Sequence, residues 1–167
     1  INENEIYIPN DITLGKDGDK NGIILFGTNA VGKSCLIKSI GISIIMAQCG
    51  FYVPCKSFTF KPYNKLFTRI LGNDNIFKGM STFVVEMSEL NNILNIADEN
   101  SLILGDELCS WTESSSAISF FSAGIFELSN RNLHFCLLHT FMKYLILKML
   151  NNLKQYNALK LCFVPIT

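Results

Sequence analysis

The sequence predicts an α/β fold in which a mostly parallel sheet is covered by helices on both faces. Short continuous apolar runs, typical of strands buried on both sides, alternate along the chain with longer segments of helical periodicity. A glycine-rich turn follows the first of these runs, and acidic residues follow a later one. Since ligands of open parallel sheets bind at the carboxyl ends of the strands, we expect the functional site at that edge.

The predicted elements follow one another as strands and helices. Strands are expected at 23–26, 66–71, 102–104, 133–138 and 159–164. Helices are expected from 33 to about 49, from 79–82 to about 97 and from about 113 to 128, with another before the last strand. Pro54 and Pro62 indicate irregular chain between the first helix and the second strand.

Length and composition indicate one globular domain spanning 1–167. The 167 residues suffice to bury an apolar core, and 49% of them are apolar and 17% charged. Because the chain begins at Ile1 inside a strand-like run, we expect it to be a fragment of a longer protein. A formal net charge of zero gives no basic surface for nucleic acid, so any DNA contact is expected mainly outside this segment.

The six cysteines have no spacing typical of a zinc site or of a disulfide framework. We expect buried, reduced thiols and hence an intracellular protein, in the cytoplasm, nucleus, an organelle or a viral factory. The residues are Cys35, Cys49, Cys55, Cys109, Cys136 and Cys162. The longest apolar stretches, 40–53 and 133–150, are too short or carry charges, whereas a membrane span needs roughly 20 apolar residues, so no membrane contact is expected.

Residues 27–34 match the phosphate-binding consensus G-x-x-x-x-G-K-[ST] at every fixed position. Gly27 and Gly32 allow the backbone to curl with its amides inward, and the helix that starts near Lys33 offers unpaired N–H groups. Lys33 is expected against the β- and γ-phosphates, and Ser34 as a ligand of Mg²⁺. The motif predicts a P-loop NTPase rather than an incidental turn. The nucleotide-binding residues are then Gly27, Thr28, Asn29, Ala30, Val31, Gly32, Lys33 and Ser34.

Two acidic residues end the strand predicted at 102–104. By itself such a pair is more often a solvated sheet edge. After a phosphate-binding loop, however, Asp106 is expected to hold Mg²⁺, and Glu107 to act as the general base that activates water on the γ-phosphate. The pair therefore favours hydrolysis over transfer of the phosphoryl group to another substrate.

Three classes of phosphate-loop protein compete. A GTPase would need D-x-x-G and N-K-x-D motifs, and neither is present. A kinase would usually need an arginine-rich lid, but Arg69 and Arg131 are the only arginines. An ABC-like ATPase needs a glutamate after the Mg²⁺-binding Asp, a serine supplied by a second subunit and a switch histidine after the next strand. Glu107 and His139 fit that order, although a transporter-type Leu-Ser-Gly-Gly-Gln signature is missing.

Three further runs carry a family resemblance: Met-Ala-Gln-Cys-Gly-Phe-Tyr-Val-Pro at 46–54, Leu-Phe-Thr-Arg-Ile at 66–70 and, most specifically, Ser-Thr-Phe-Val-Val-Glu-Met-Ser-Glu at 81–89 with Asn-Ile-Leu at 92–94. With these runs the chain resembles the MutS family of DNA mismatch-repair proteins, from about residue 7 to residue 139. The resemblance implies an ABC-like ATPase domain that works as a dimer.

The resemblance also implies roles for individual residues. Tyr7 matches the aromatic residue that stacks on adenine, with a core strand residue as the alternative. Asn29 matches a loop residue near the γ-phosphate. Ser81 matches the serine that reaches the other subunit's γ-phosphate, a role compatible with capping its own helix. His139 matches the switch histidine that senses the γ-phosphate, with a structural histidine as the alternative.

Several residues depart from the family pattern. After Glu107 the family usually has Gly-Arg-Gly-Thr-Ser-Thr, whereas residues 109–114 read Cys-Ser-Trp-Thr-Glu-Ser. This version resembles the large virus- and organelle-associated branch, except that Trp111 replaces a glycine. Gly105 replaces an apolar residue, Leu138 a threonine and Phe141 a second histidine, and the resemblance is weak beyond 143. These changes question hydrolysis and dimer communication more than nucleotide binding.

The expected function is that of a DNA-dependent ATPase domain in a mismatch-repair protein. It would use ATP and Mg²⁺ and work as a homo- or heterodimer. DNA would be contacted through domains outside this segment, and other repair proteins are further candidate partners. Two alternatives stay open: a family relative that acts on branched or recombining DNA, and a degenerate module that binds ATP with little hydrolysis. The altered loop at Trp111 favours the latter.

Overall fold

The structure, a computed structural model, describes residues 9–15, 21–26, 31–69, 82–106, 115–139 and 159–163. At 26, 82–83, 115–118, 139 and 159–163 the description is of the backbone alone. The strands are β1 (Gly22–Phe26), β2 (Lys65–Arg69), β3 (Ser101–Gly105), β4 (His134–His139) and β5 (Leu159–Phe163). The helices are α1 (Lys33–Gln48), α2 (Thr82–Ile96) and α3 (Ser115–Asn130).

The strands form one sheet in the order β2-β3-β4-β1-β5, and every neighbouring pair is parallel. Phe26 at the end of β1 is in register with His139 at the end of β4, and Gly105 at the end of β3 is in register with Leu137. The carboxyl ends of β1, β3 and β4 therefore share one edge of the sheet. The predicted α/β fold with a parallel sheet is confirmed.

The core consists of two apolar layers, one on each face of the sheet. Alternate strand residues supply each layer, since successive side chains of a strand point to opposite faces. Ile24, Ile103 and Leu137 pack with α3 residues such as Ile125. The other layer, which includes α1, is formed by Ile23, Leu25, Ile37, Ile44, Leu102, Leu104, Cys136 and Leu138. Helices thus cover both faces, as predicted.

Helix α1 lies close to the sheet because residue 41 has no side chain. A Cβ atom at Gly41 would lie 2.9 Å from Cδ1 of the buried Leu104 on β3. The buried positions Lys33, Ile37, Gly41 and Ile44 follow one face of the helix. This face sets the position of the N-terminus of α1 over the sheet edge.

Two helices end in Schellman motifs, in which a residue with positive φ reverses the chain. At α1 that residue is Gly50 (φ 79°), with N–H bonds from Gly50 to Ala47 and from Phe51 to Met46. At α3 it is Asn132 (φ 54°), and the motif places the end of the helix at Asn130, two residues beyond the predicted end at 128. The other boundaries differ from prediction by similar small amounts. The helix expected before β5 lies outside the described residues.

The expectation of buried cysteines is wrong for three of the four that the structure describes. Cys136 is buried in β4, but Cys35, Cys49 and Cys55 are exposed free thiols. Cys35 lies on the outward face of α1, two residues before the buried Ile37, and the other two lie in the irregular segment after the helix. Cys109 and Cys162 lie outside the described side chains. In the described ranges, none of the helices is both long and apolar enough to cross a bilayer.

Candidate functional site

The N-terminus of α1 presents backbone donors at the carboxyl edge of the sheet. Gly32, the N-cap residue, has φ 89° and makes no side-chain capping hydrogen bond. Its carbonyl oxygen accepts the N–H of Leu36 at 2.9 Å, which starts the helical hydrogen-bond pattern. The earlier N–H groups of the first turn therefore point outward, at the positive end of the helix dipole, as an anion site requires.

Two side chains of the predicted phosphate loop begin α1. Lys33 is only 4% exposed, a degree of burial that is rare for lysine. Ser34 is half-buried beside it, and Val31, before the helix, is half-buried as well. The helix therefore holds a buried cation and a hydroxyl next to the backbone amides of its first turn, which is chemistry suited to a polyanion.

Asp106 directly follows β3 and is 6% exposed. Its backbone N–H donates to the carbonyl oxygen of Arg69 at 2.7 Å, which extends the β2–β3 ladder by one bond. Its Oδ1 atom is buried and has no hydrogen-bond partner among the described residues. Since a buried carboxylate oxygen without a partner is unfavourable, Asp106 fits a site whose missing partner is a cation.

The sheet brings these groups to one edge. β4 lies between β3, which leads to Asp106, and β1, which precedes the phosphate loop. His139 ends β4, in register with Phe26 of β1, so its backbone lies between the ends of both. Asp106 thus follows β3, His139 ends β4, and Lys33 and Ser34 come after β1, so these predicted residues belong to adjacent strands.

The remaining predicted site residues lie outside the described part of the chain. They are Tyr7, Gly27, Thr28, Asn29, Ala30, Ser81 and Glu107, and the loop that contains Trp111 lies outside as well. Their roles stay predictions, as does the role of the His139 side chain.

An ion-pair cluster beside Asp106 was not predicted from the sequence. Arg69, the last residue of β2, donates through Nη1 to Oε2 of Glu89 and through Nη2 to Oε1 of Glu86, the latter at 3.3 Å. Both glutamates belong to α2, and Glu86 is 2% exposed. A charged residue at a helix position surrounded by apolar ones was the available signal, but its partner is distant in sequence.

A second unpredicted cluster lies at the opposite edge of the sheet. The Tyr63 hydroxyl is 2.7 Å from Nδ1 of His134, and Gln48 exchanges two hydrogen bonds with the Tyr63 backbone. Burial lowers the pKa of His134, and the charge of Lys61 lowers this pKa further. The imidazole is therefore neutral near pH 7, and we assign the Tyr63 hydroxyl as donor to Nδ1. Burial raises the pKa of Tyr63.

Comparison with known proteins agrees with this architecture. Residues 23–163 match the family model described as MutS domain V. A DNA mismatch repair mutS homologue of Acanthamoeba polyphaga mimivirus is 39% identical over 91% of this chain and 17% of its own length. The mitochondrial DNA mismatch repair mutS homologue of Sarcophyton glaucum is 44% identical over 82% of this chain and 14% of its own length.

A third relative, DNA mismatch repair protein MSH6 of Saccharomyces cerevisiae, is 48% identical over 61% of this chain and 8% of its own length. The chain thus spans less than a fifth of each of these relatives. The family model covers most of the chain, and the relatives include viral and mitochondrial proteins, in line with the resemblance of the loop at 109–114. The chain belongs to the MutS family, and residues 23–163 are its domain V.

Proposed function

We propose that this chain is the ATP-binding and ATP-hydrolysing domain of a DNA mismatch-repair protein. One observation carries the proposal. A buried carboxylate, Asp106, with an oxygen that has no partner in the described structure, lies at the same sheet edge as an uncapped helix N-terminus that holds Lys33. Hydrogen-bond donors that can bind an anion and a carboxylate that can bind a cation are together what a nucleotide bound with Mg²⁺ needs.

The first turn of α1 would bind the phosphates. Its N–H groups and the Lys33 ammonium would neutralise and orient the β- and γ-phosphates, together with the loop residues 27–31. The Ser34 hydroxyl and the Asp106 carboxylate would hold Mg²⁺, whose charge stabilises the phosphate oxygens during transfer. Such a site needs few protein ligands, because Mg²⁺ usually takes the rest from phosphates and water.

Hydrolysis would use residues around that edge. Glu107, the residue after Asp106, would take a proton from the attacking water. His139, at the end of β4, would sense the γ-phosphate, and Ser81 of a second domain would cap it across a dimer. Tyr7 would stack on adenine and Asn29 would lie near the γ-phosphate. These roles follow the family resemblance.

The rest of the longer protein would couple this chemistry to DNA. The named relatives are DNA mismatch repair proteins, and this chain spans only a small share of their length. DNA would therefore be bound by other domains of the protein. The ATPase domains would form a homo- or heterodimer, and other repair proteins would be partners. ATP can bias the grip on DNA only if it binds one dimer arrangement more tightly than another.

A second candidate is a module that holds ATP but hydrolyses it slowly. The observation that favours it is Trp111, which stands where the family has glycine. A tryptophan residue cannot adopt all the backbone conformations that are open to glycine without strain. Under this candidate, Trp111→Gly would raise turnover while ATP affinity stays constant.

Nucleotide binding is tested by Lys33→Ala in the full-length protein. We expect ATP affinity to fall at least about 100-fold, because the variant removes the buried cation that faces the phosphates. The matched control is Lys38→Ala, which removes an exposed lysine from the same helix and is expected to bind normally. Titration with a fluorescent ATP analogue measures both. Equal affinity of Lys33→Ala and wild type would refute the site.

Hydrolysis is tested by Glu107→Gln. We expect binding to persist and steady-state phosphate release to fall by about 100-fold or more, because glutamine cannot accept the proton. Glu99→Gln, at an exposed position before β3, is the charge-matched control. Normal phosphate release by Glu107→Gln would exclude Glu107 as the base.

A further inference from the structure

Helix α2 is held to the sheet edge by a charged side chain. Among the α2 side chains that the structure describes, at 84–96, only that of Glu86 is buried, while the apolar Met87, Ile93 and Leu94 are partly exposed. A small apolar pocket also lies between α2 and α3, lined by Glu86, Met87, Leu90, Phe121, Gly124, Ile125, Leu128 and Leu137. Apolar packing therefore secures α2 less than it secures α1.

Arg69 supplies the missing attachment. Its guanidinium is bonded to both Glu86 and Glu89, which lie one turn apart on α2. Arginine presents its donors in a rigid planar fork, so two carboxylates bound to one guanidinium fix a direction as well as a distance. Glu89 is 44% exposed, which leaves the buried Glu86 as the inner contact and Glu89 as the outer one.

Arg69 is also hydrogen-bonded to the backbone of Asp106. The Arg69 carbonyl oxygen accepts the N–H of Asp106 at 2.7 Å. Arg69 thus contacts Asp106 with its main chain and α2 with its side chain. A change in the tilt of α2 would therefore move Arg69, whose carbonyl oxygen holds the backbone of Asp106 at the end of β3.

We propose that Arg69 is a positioning residue that sets the orientation of α2 relative to Asp106. The proposal rests on the proposed function, in which Ser81, the residue before α2, completes the site of a second domain. Arg69 would then fix the relative positions of two parts of the catalytic arrangement. One is the Asp106 carboxylate of its own site, which would hold Mg²⁺, and the other is helix α2, which would serve the site of the second domain. In this role Arg69 would act through its contacts with α2 and Asp106, and not on the nucleotide or the metal.

A buried ion pair is weak evidence for stability, because an apolar replacement is often equally stable. Positional control is what such an apolar replacement would not provide. The test therefore separates the two roles by removing both charges at once. Arg69→Met alone removes the arginine from the buried Glu86 carboxylate, a change that is strongly destabilising, so the double variant Arg69→Met/Glu86→Gln is the informative one.

The experiment uses the full-length protein and three readouts: amide hydrogen exchange of α2, ATP affinity and kcat. In the double variant we expect exchange at 84–90 to rise about tenfold or more while exchange at 101–105 stays as in wild type. ATP affinity should stay within about twofold, and kcat should fall about tenfold or more, since only the arrangement in the transition state is lost. Arg69→Lys, with Glu86 unchanged, keeps the positive charge without the planar guanidinium. Its kcat should lie between those of the double variant and the wild type.

The matched control is Arg131→Met. Arg131 bonds Glu127 at 2.7 Å on α3 and the Leu94 carbonyl oxygen, so it is a second arginine between helices that is not bonded to Asp106. We expect wild-type kcat and wild-type exchange at 84–90 in this variant.

Two results would overturn the proposal. One is wild-type exchange at 84–90 and wild-type kcat in the double variant. The other is a parallel loss of ATP affinity, kcat and protection at 101–105, which would show a general structural role. If the wild-type protein itself has no turnover, the proposed function fails, and hydrogen exchange alone then decides: increased exchange confined to 84–90 supports the link, and unchanged exchange refutes it.

Discussion

Single residues at the carboxyl edge of the sheet combine burial with charge. Lys33 and Asp106 are 4% and 6% exposed, and both follow strands whose apolar character alone would predict an uncharged core. Motif spacing predicted both residues, because a phosphate loop and an acid at a strand end leave recognisable residue types in order. Arg69 was predicted only as part of a family run, since its contacts with α2 depend on tertiary pairing.

Asp106→Asn tests whether the carboxylate is built for a cation. Without nucleotide or metal, we expect the free energy of unfolding to stay constant or to rise by up to about 1 kcal/mol, because a buried charge with an unpartnered oxygen is removed. With ATP, we expect Mg²⁺ to lose its effect on affinity. Urea unfolding and ATP titrations with and without Mg²⁺ measure these quantities. A destabilised variant that still responds to Mg²⁺ would contradict the assignment.

Among the elements, α1 connects the core to the candidate site most directly. Its buried face packs on β3 and β4, and its N-terminus lies at the edge where Asp106 follows β3. The close approach at Gly41 makes this packing possible. The helix and its neighbouring strands were predictable from the apolar runs and from the phosphate-loop motif at the start of the helix.

Gly41→Val should therefore displace α1 from the sheet. The added side chain would begin at a Cβ position 2.9 Å from Cδ1 of Leu104, and we expect the free energy of unfolding to fall by about 1–3 kcal/mol. Ile42→Val, at an exposed position on the outward side of α1, is the control and should change stability by less than about 0.5 kcal/mol. Equal urea midpoints for the two variants would show that α1 does not need the glycine.

At the scale of the whole molecule, the fold is held at two opposite edges by polar contacts that the sequence does not reveal. Tyr63 and His134 are 71 positions apart, yet their side chains meet at the amino end of β4. Nothing local marks either residue as a partner of the other. The exposure of Cys35 is unpredictable for the same reason, since it depends on which face of α1 the sheet covers.

The pH dependence of global stability follows from this contact. Because burial and Lys61 lower the pKa of His134, the unfolded chain binds a proton there at pH values just below 6.5 while the folded chain does not. Stability should be fully present above that value and fall as the pH decreases towards the lowered pKa. Asp98, whose pKa is lowered first by its hydrogen bond with Lys65, stabilises the folded state above its ordinary value of 3.8, and this contribution is lost only as the pH falls below that value.

Urea unfolding between about pH 5 and pH 8 measures the effect. In His134→Gln the decrease in stability towards pH 5 should be smaller than in wild type, since the variant has no proton to bind at this position. The same slope in both proteins would assign the pH dependence to other groups.

The most direct measurement is the steady-state ATPase rate of the full-length protein with no DNA, with matched duplex and with mismatched duplex, compared with Lys33→Ala. We predict turnover that mismatched DNA changes and that Lys33→Ala loses. A rate that responds to branched DNA but not to mismatches would favour the recombination relative. A wild-type rate no higher than that of Lys33→Ala on every DNA would contradict the claim that this edge of the sheet hydrolyses ATP.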